Sequence, residues 1–205
     1  MQKAVDTLMQ ALALIDAANA EDPNSDQDGA ETVPKELLYG RRMSEMLARF
    51  APAAADAIKL AVRAQHVQRW KIPRSDFPMT KPGYFQWRTG LYRFHAETAA
   101  RLLSAAGCDE ATVARAAAAI DKKNLRDNPD TQLVEDVAAL VFIEHYMTGF
   151  AAQKPDYDEA KWLLIIRKTW KKMSDAARAF ALSGALRLPA DLLPLIQKAI
   201  AEEMA

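Results

Sequence analysis

Cysteine, glycine and net charge are scarce in this sequence. One cysteine, Cys108, in 205 residues excludes an internal disulfide and a thiolate zinc cluster, and it fits a reducing compartment, the cytoplasm. The seven glycines fall into no P-loop, dinucleotide turn or G-x-S-x-G elbow, so kinase-like and Rossmann readings drop out. Basic and acidic side chains number 27 each, which leaves no whole-molecule field to draw the chain onto DNA or a membrane. No uncharged apolar run approaches the roughly 20 residues of a membrane span. No alternating, β-branched run reads as a strand.

What is present is helical periodicity. A chain of this length buries one core well, so a single all-helical domain over residues 1–205 is expected. Val5, Leu8, Met9, Leu12 and Ile15 recur at three- and four-residue steps, which predicts a helix over 2–20 and not a signal peptide. Residues 21–34 read as an acidic loop. Asn24, Asp26, Asp28 and Gly29 imitate the start of a calcium loop, but Lys35 stands where the closing glutamate belongs, so a solvated loop is expected.

Pro34 suits a helix first turn, and the following stretch would bury Leu37, Leu38, Met46, Leu47 and Phe50. A third helix over 53–70 ends at the Pro73 and Pro78 punctuation, and a fourth runs from about Tyr84 to Ala106, stopped by Gly107. Asp109 caps a fifth, Asp130 or Thr131 opens a sixth over 131–150, and 156–173, 174–186 and 191–204 follow, with Ser174 as a cap. The fold class is all-α, a single-domain bundle of eight or nine helices.

The stretch from His66 to His95 interrupts this Ala/Leu-rich pattern. It holds two of the three histidines, two of the four tryptophans and three of the ten prolines, with a Pro-rich basic and aromatic insert at 71–83. Arg69, Arg74 and Arg88 suit phosphate or carboxylate, because guanidinium forks match such anions. Trp70, Tyr84, Phe85 and Trp87 could stack a base or simply pack the loop. Asp136, beside Glu135 in an otherwise apolar helix, must be paired, solvated or metal-bound. With His66 and His95 it would suit a divalent metal, Zn, Mn or Fe. The structural alternative pairs Asp136 with an arginine of the insert. His145 reads as a surface residue, and Cys108 has no neighbouring histidine to activate it. Arg167, Lys168, Lys171 and Lys172 around Trp170 read as a solvated stripe, or as an RNA contact if it lies beside the insert.

The strings IDAANAEDPN, RAQHVQRWKIPR, GYFQWRTGLYRFHA, KKNLRDNPDTQLVEDVAALVF and IRKTWKKMS resemble the family known as domain of unknown function 4202, over almost the whole chain. That family brings no established activity. More distantly, the order of elements is similar to the HD-domain metal-dependent phosphohydrolases, which implies an HD-like helical core. In that comparison His66 matches the histidine of the His-Asp pair, Val67 replaces its aspartate, and His95 matches an added histidine. Lys122 or Lys123 falls near another, Asp136 matches the distant aspartate, and Tyr39 with Arg42 and Met43 stands where the first histidine belongs.

The expected function is metal-dependent hydrolysis of a nucleotide or phosphate ester, with His66, His95 and Asp136 on the metal and Glu135 as the catalytic proton carrier. Arg69, Arg74 and Arg88 would hold phosphate. The partner is then a small anionic or phosphorylated ligand. A non-catalytic nucleotide- or RNA-binding protein is the alternative, and an iron-dependent oxygenase a third.

Overall fold

The computed structural model describes residues 2–122 and 127–204. The described residues are mostly helical, with one small two-stranded sheet. Their α-helices are α1 Gln2–Ala20, α2 Lys35–Phe50, α3 Asp56–Ala64, α4 Lys81–Ala105, α5 Glu110–Ile120, α6 Pro129–Val141, α7 Met147–Ala152, α8 Glu159–Lys172, α9 Asp175–Leu182 and α10 Leu193–Met204. The chain divides into two compact units, Met1–Val134 and Glu135–Ala205, with the division inside α6. No helix among the described residues is long and apolar enough to cross a membrane.

Local chemistry sets most of the boundaries. Thr80 accepts the Gly83 N–H at 3.2 Å and caps α4, whose first turn holds Pro82. At the other end Gly107 adopts φ +82°, and its N–H and that of Cys108 return to the Ser104 and Leu103 carbonyls. This is a Schellman ending. Asp109, Asp158 and Ser174 cap α5, α8 and α9.

The acidic loop is a correction. Residues 21–34 contain a hairpin, β1 Ser25–Asp28 antiparallel to β2 Glu31–Pro34, with Asp28 opposite Glu31. Gly29 has φ +62° at the first of the two turn residues, where a type II′ turn requires glycine. An extended strand sets its oxygens in a row instead of wrapping an ion, and Asp28 pairs with Arg42 at 3.1 Å. Asp22 accepts the Glu36 N–H at 3.1 Å, which ties the loop to the start of α2.

The third helix is shorter than expected, because α3 ends at Ala64 and the chain turns before Arg69–Lys71 forms one 3-10 turn. The expected sixth helix is broken by a π turn over Phe142–Tyr146. Lys123 lies outside the described residues.

In the first unit Ile15, Leu38, Met43, Met46, Ile58, Leu60, Leu91, Leu103 and Ile120 are fully buried, each stabilising by about 1.5–3 kcal/mol. α2 and α3 come so close that a Cβ on Gly40 would stand 2.9 Å from the Arg63 carbonyl oxygen. Arg63 also grips Asp16 of α1 through two bonds of 2.6 Å. In the second unit α8 packs on α10, with Trp162, Ile166 and Trp170 buried on one side and Ile196 and Ile200 on the other.

Candidate functional site

The turn after α3 is built to hold Arg69. Gln68 takes the left-handed conformation, φ 54°, which a non-glycine residue seldom adopts without support. The support is Asn19, 1 % exposed: its carbonyl oxygen accepts the Gln68 N–H at 3.0 Å, and its amide donates toward the Glu36 carbonyl at 3.4 Å. One buried side chain therefore joins the end of α1, the first turn of α2 and the His66–Arg69 turn.

The insert is equally fixed. Trp87 donates to the Ile72 carbonyl at 2.9 Å, and Arg74 donates to the carbonyls of Phe77 and Pro78 at 2.9 and 2.8 Å. Gly83 passes so near that a Cβ would fall 2.2 Å from the Pro78 oxygen.

His66 and His95 meet, with ring centroids 5.7 Å apart, and Tyr39 stacks on His66 at 4.1 Å. The partners define the tautomers. His95 Nδ1 lies 2.9 Å from the Val67 carbonyl, an acceptor only, so Nδ1 carries the proton and Nε2 a lone pair. Arg69 Nη1, a donor only, lies 3.4 Å from His66 Nε2, which makes Nε2 the acceptor, and His66 Nδ1 stands 3.4 Å from Glu36 Oε2 without forming a hydrogen bond to it.

Burial, then the neighbouring charge of Arg69, with Lys122, Arg88 and Lys35 adding to it, holds His66 well below the usual imidazole range. Burial and the field of His66 push His95 down to about 3, against the bond to Val67. Burial pushes Glu36 up to about 7, although Arg69 opposes it. At neutral pH both imidazoles are uncharged. Some 27 % of the His66 side chain is accessible, so a ligand can reach it.

Cations surround this group. Arg69 lies over the Trp87 ring at 5.0 Å. Arg88 donates to the Tyr92 hydroxyl and, at 3.0 Å, to that of Tyr84. Lys122 stands over the Tyr92 ring at 5.0 Å. Burial works against the charge of Arg88, but the hydrogen bonds and fields of Tyr92 and Tyr84 outweigh it and raise its pKa. Among the described residues neither Arg69 nor Arg88 forms an ion pair with a carboxylate. Two guanidiniums thus rest on aromatic faces beside a neutral imidazole.

The remaining sequence candidates are placed differently. Arg74 uses its guanidinium on loop carbonyls. Asp136 belongs to the second unit and accepts the Ser174 N–H at 2.8 Å and hydroxyl at 2.6 Å, so it anchors the start of α9. Glu135 lies 3.5 Å from Lys172. His145, half-buried in the π turn, lies 3.3 Å from Glu144. Burial and Asp109 push the Cys108 thiol up, away from the reactive thiolate.

Among the described residues no three His, Cys, Asp or Glu side chains come together as a metal group. Glu36, Asn19 and Tyr39 are site residues that periodicity alone passes over. The signal for Glu36 is its place on the buried stripe Glu36, Gly40, Met43, Leu47, an acid at helical spacing with core residues.

No curated protein and no solved structure matches the chain. A family model does, over residues 9–196, and the chain therefore belongs to the family described as Domain of unknown function (DUF4202).

Proposed function

We propose that this protein binds a small phosphorylated ligand, a nucleotide or another phosphate ester, at Arg69 and Arg88 beside His66, and hydrolyses it. The observation that carries the reading is the pair of guanidiniums without a carboxylate partner among the described residues. Both guanidiniums are half-buried, and a cation partly withdrawn from water with no carboxylate in contact is stabilised by an anion from outside. Lys122 and Lys35 add positive field, and the uncharged His66 accepts from Arg69 without competing for its charge.

In hydrolysis a water oxygen attacks phosphorus, the ester P–O bond breaks and the leaving oxygen takes up a proton. Arg69 and Arg88 supply the charge stabilisation that such phosphoryl transfer requires. The HD-like, metal-dependent form of this proposal would place Zn, Mn or Fe on His66, His95 and Asp136, with Glu135 moving protons. Metal content after chelator-free purification, and phosphate release with and without added Mn or Zn, test that form.

The binding claim is tested by calorimetry against a panel of phosphate esters, their dephosphorylated forms and a single-stranded RNA. Phosphorylated small molecules should bind and the dephosphorylated forms should not. Arg69→Ala and Arg88→Ala should each weaken binding about 10- to 150-fold, the range for a charged hydrogen bond. An affinity indifferent to both substitutions, or binding of RNA alone, would replace the proposal.

A further inference from the structure

The same cluster contains two polar atoms that the anion reading leaves unused. Glu36 is 6 % exposed and His95 2 % exposed. Neither Glu36 Oε2 nor His95 Nε2 receives a hydrogen bond from any described residue. The Val67 carbonyl fixes His95 Nε2 as an acceptor, and a carboxylate oxygen is an acceptor too. Both groups lie against His66, Glu36 through the 3.4 Å approach to Nδ1 and His95 through its ring.

Buried acceptors require donors. An ionised phosphate carries only acceptors, so the group that satisfies Arg69 and Arg88 cannot satisfy Glu36 and His95. An ammonium donor would be repelled by the surrounding Arg69, Arg88, Lys122 and Lys35. A neutral hydroxyl meets no such repulsion.

Resting on the phosphate-ester reading, we propose that Glu36 Oε2 and His95 Nε2 accept hydroxyl hydrogens of the ligand, so that the site selects hydroxyl-rich phosphate esters, the sugar phosphates and ribonucleotides, over their deoxy counterparts. The guanidiniums hold the phosphate end, and the carboxylate and imidazole read the sugar end. A site built to bond a hydroxyl discriminates strongly against an analogue without it, because its own buried groups are then left unpaired.

The test is calorimetry on the full chain at pH 8 with inorganic phosphate, ribose 5-phosphate, 2-deoxyribose 5-phosphate, and a ribonucleoside and deoxyribonucleoside monophosphate. The expected result is a preference of about tenfold or more for each hydroxylated member over its deoxy partner. Comparison of the two pairs separates a sugar phosphate from a nucleotide as the preferred source. Glu36→Met and His95→Phe should bring the ratio toward one, the ratio and not the absolute affinity being the readout.

Should either variant fail to fold, the wild-type ratios alone decide. Equal binding of hydroxylated and deoxy members overturns the inference and leaves the phosphate site standing. Absence of binding by every phosphate ester, or binding unchanged by Arg69→Ala, overturns the phosphate site itself.

Discussion

Residues 66–95 and residues 165–172 both set arginines and lysines around a tryptophan. In the second stretch cations meet carboxylates, Arg167 at Glu202 and Lys172 at Glu135, whereas in the first Arg69 and Arg88 meet indole, imidazole and phenol. The two buried acids repeat the contrast. Asp136 has both oxygens bonded to Ser174, while Glu36 keeps Oε2 without a hydrogen bond. The lesson is that cation count says little about binding, and the counter-charge says more. Where the chain neutralises its own charge it builds structure, and where it does not the proposed ligand would supply the missing charge.

The largest test of this contrast is the double substitution Arg69→Ala with Arg88→Ala, which should weaken phosphate-ester binding by about 100-fold or more by calorimetry. Arg167→Ala with Lys172→Ala should leave that affinity within about twofold, since surface pairs contribute little. Equal losses from both pairs would erase the distinction.

Next in size is Gly83→Ala. Its Cβ would meet the Pro78 oxygen at 2.2 Å, and relief of that overlap should cost about 1–3 kcal/mol in denaturant unfolding. Ligand affinity should fall with it, because Pro78 also receives Arg74 in the insert.

Asp136→Ala should destabilise by a similar or smaller amount, about 1–3 kcal/mol, by leaving the Ser174 N–H without its acceptor. Its effect should appear in unfolding and not in phosphate affinity. A loss of bound metal from chelator-free protein instead would make Asp136 a ligand.

The smallest effect is the pH response of Glu36. A carboxyl whose folded value is raised to about 7 prefers its proton in the native state, so its cost is absent below about 4.5, grows through the interval and is complete above 7. Glu36→Gln should therefore gain stability relative to wild type as pH rises from 4.5 to 8, by on the order of 1 kcal/mol or more. The imidazoles act in the opposite sense. His66 and His95 are depressed, so stability is lost as pH falls below about 6.5. Melting curves of wild type and Glu36→Gln from pH 4 to 8 separate the two signs.

Where structure follows from neighbours in sequence, the sequence was legible. The stop at Gly107 and the caps at Asp109 and Ser174 are one-turn effects and stand where the pattern places them. The hairpin was not legible, because its strands are polar and its pairing register depends on a single turn, Gly29. The π turn in the expected sixth helix was hidden by an apolar content that suits any helical winding.

At the site, the cationic and aromatic character of 66–95 was readable, and so was the meeting of His66 with His95 as a hypothesis. Glu36 was not, since an acid in a helix's first turn ordinarily serves the dipole. Asp136 is legible as a buried acid that needs a partner, but Ser174, its partner, stands too far along the chain for any local pattern to disclose.

Asn19 carries a practical consequence. It is the residue before the last of α1, yet it is the peg on which the Arg69 turn hangs, through the one N–H of a backbone held at positive φ. A shortened protein that begins beyond residue 20 would keep every arginine and histidine of the site and still lose the geometry that aims them. The opening helix, remote from that turn in sequence, thus helps to set the positions of Arg69 and His66.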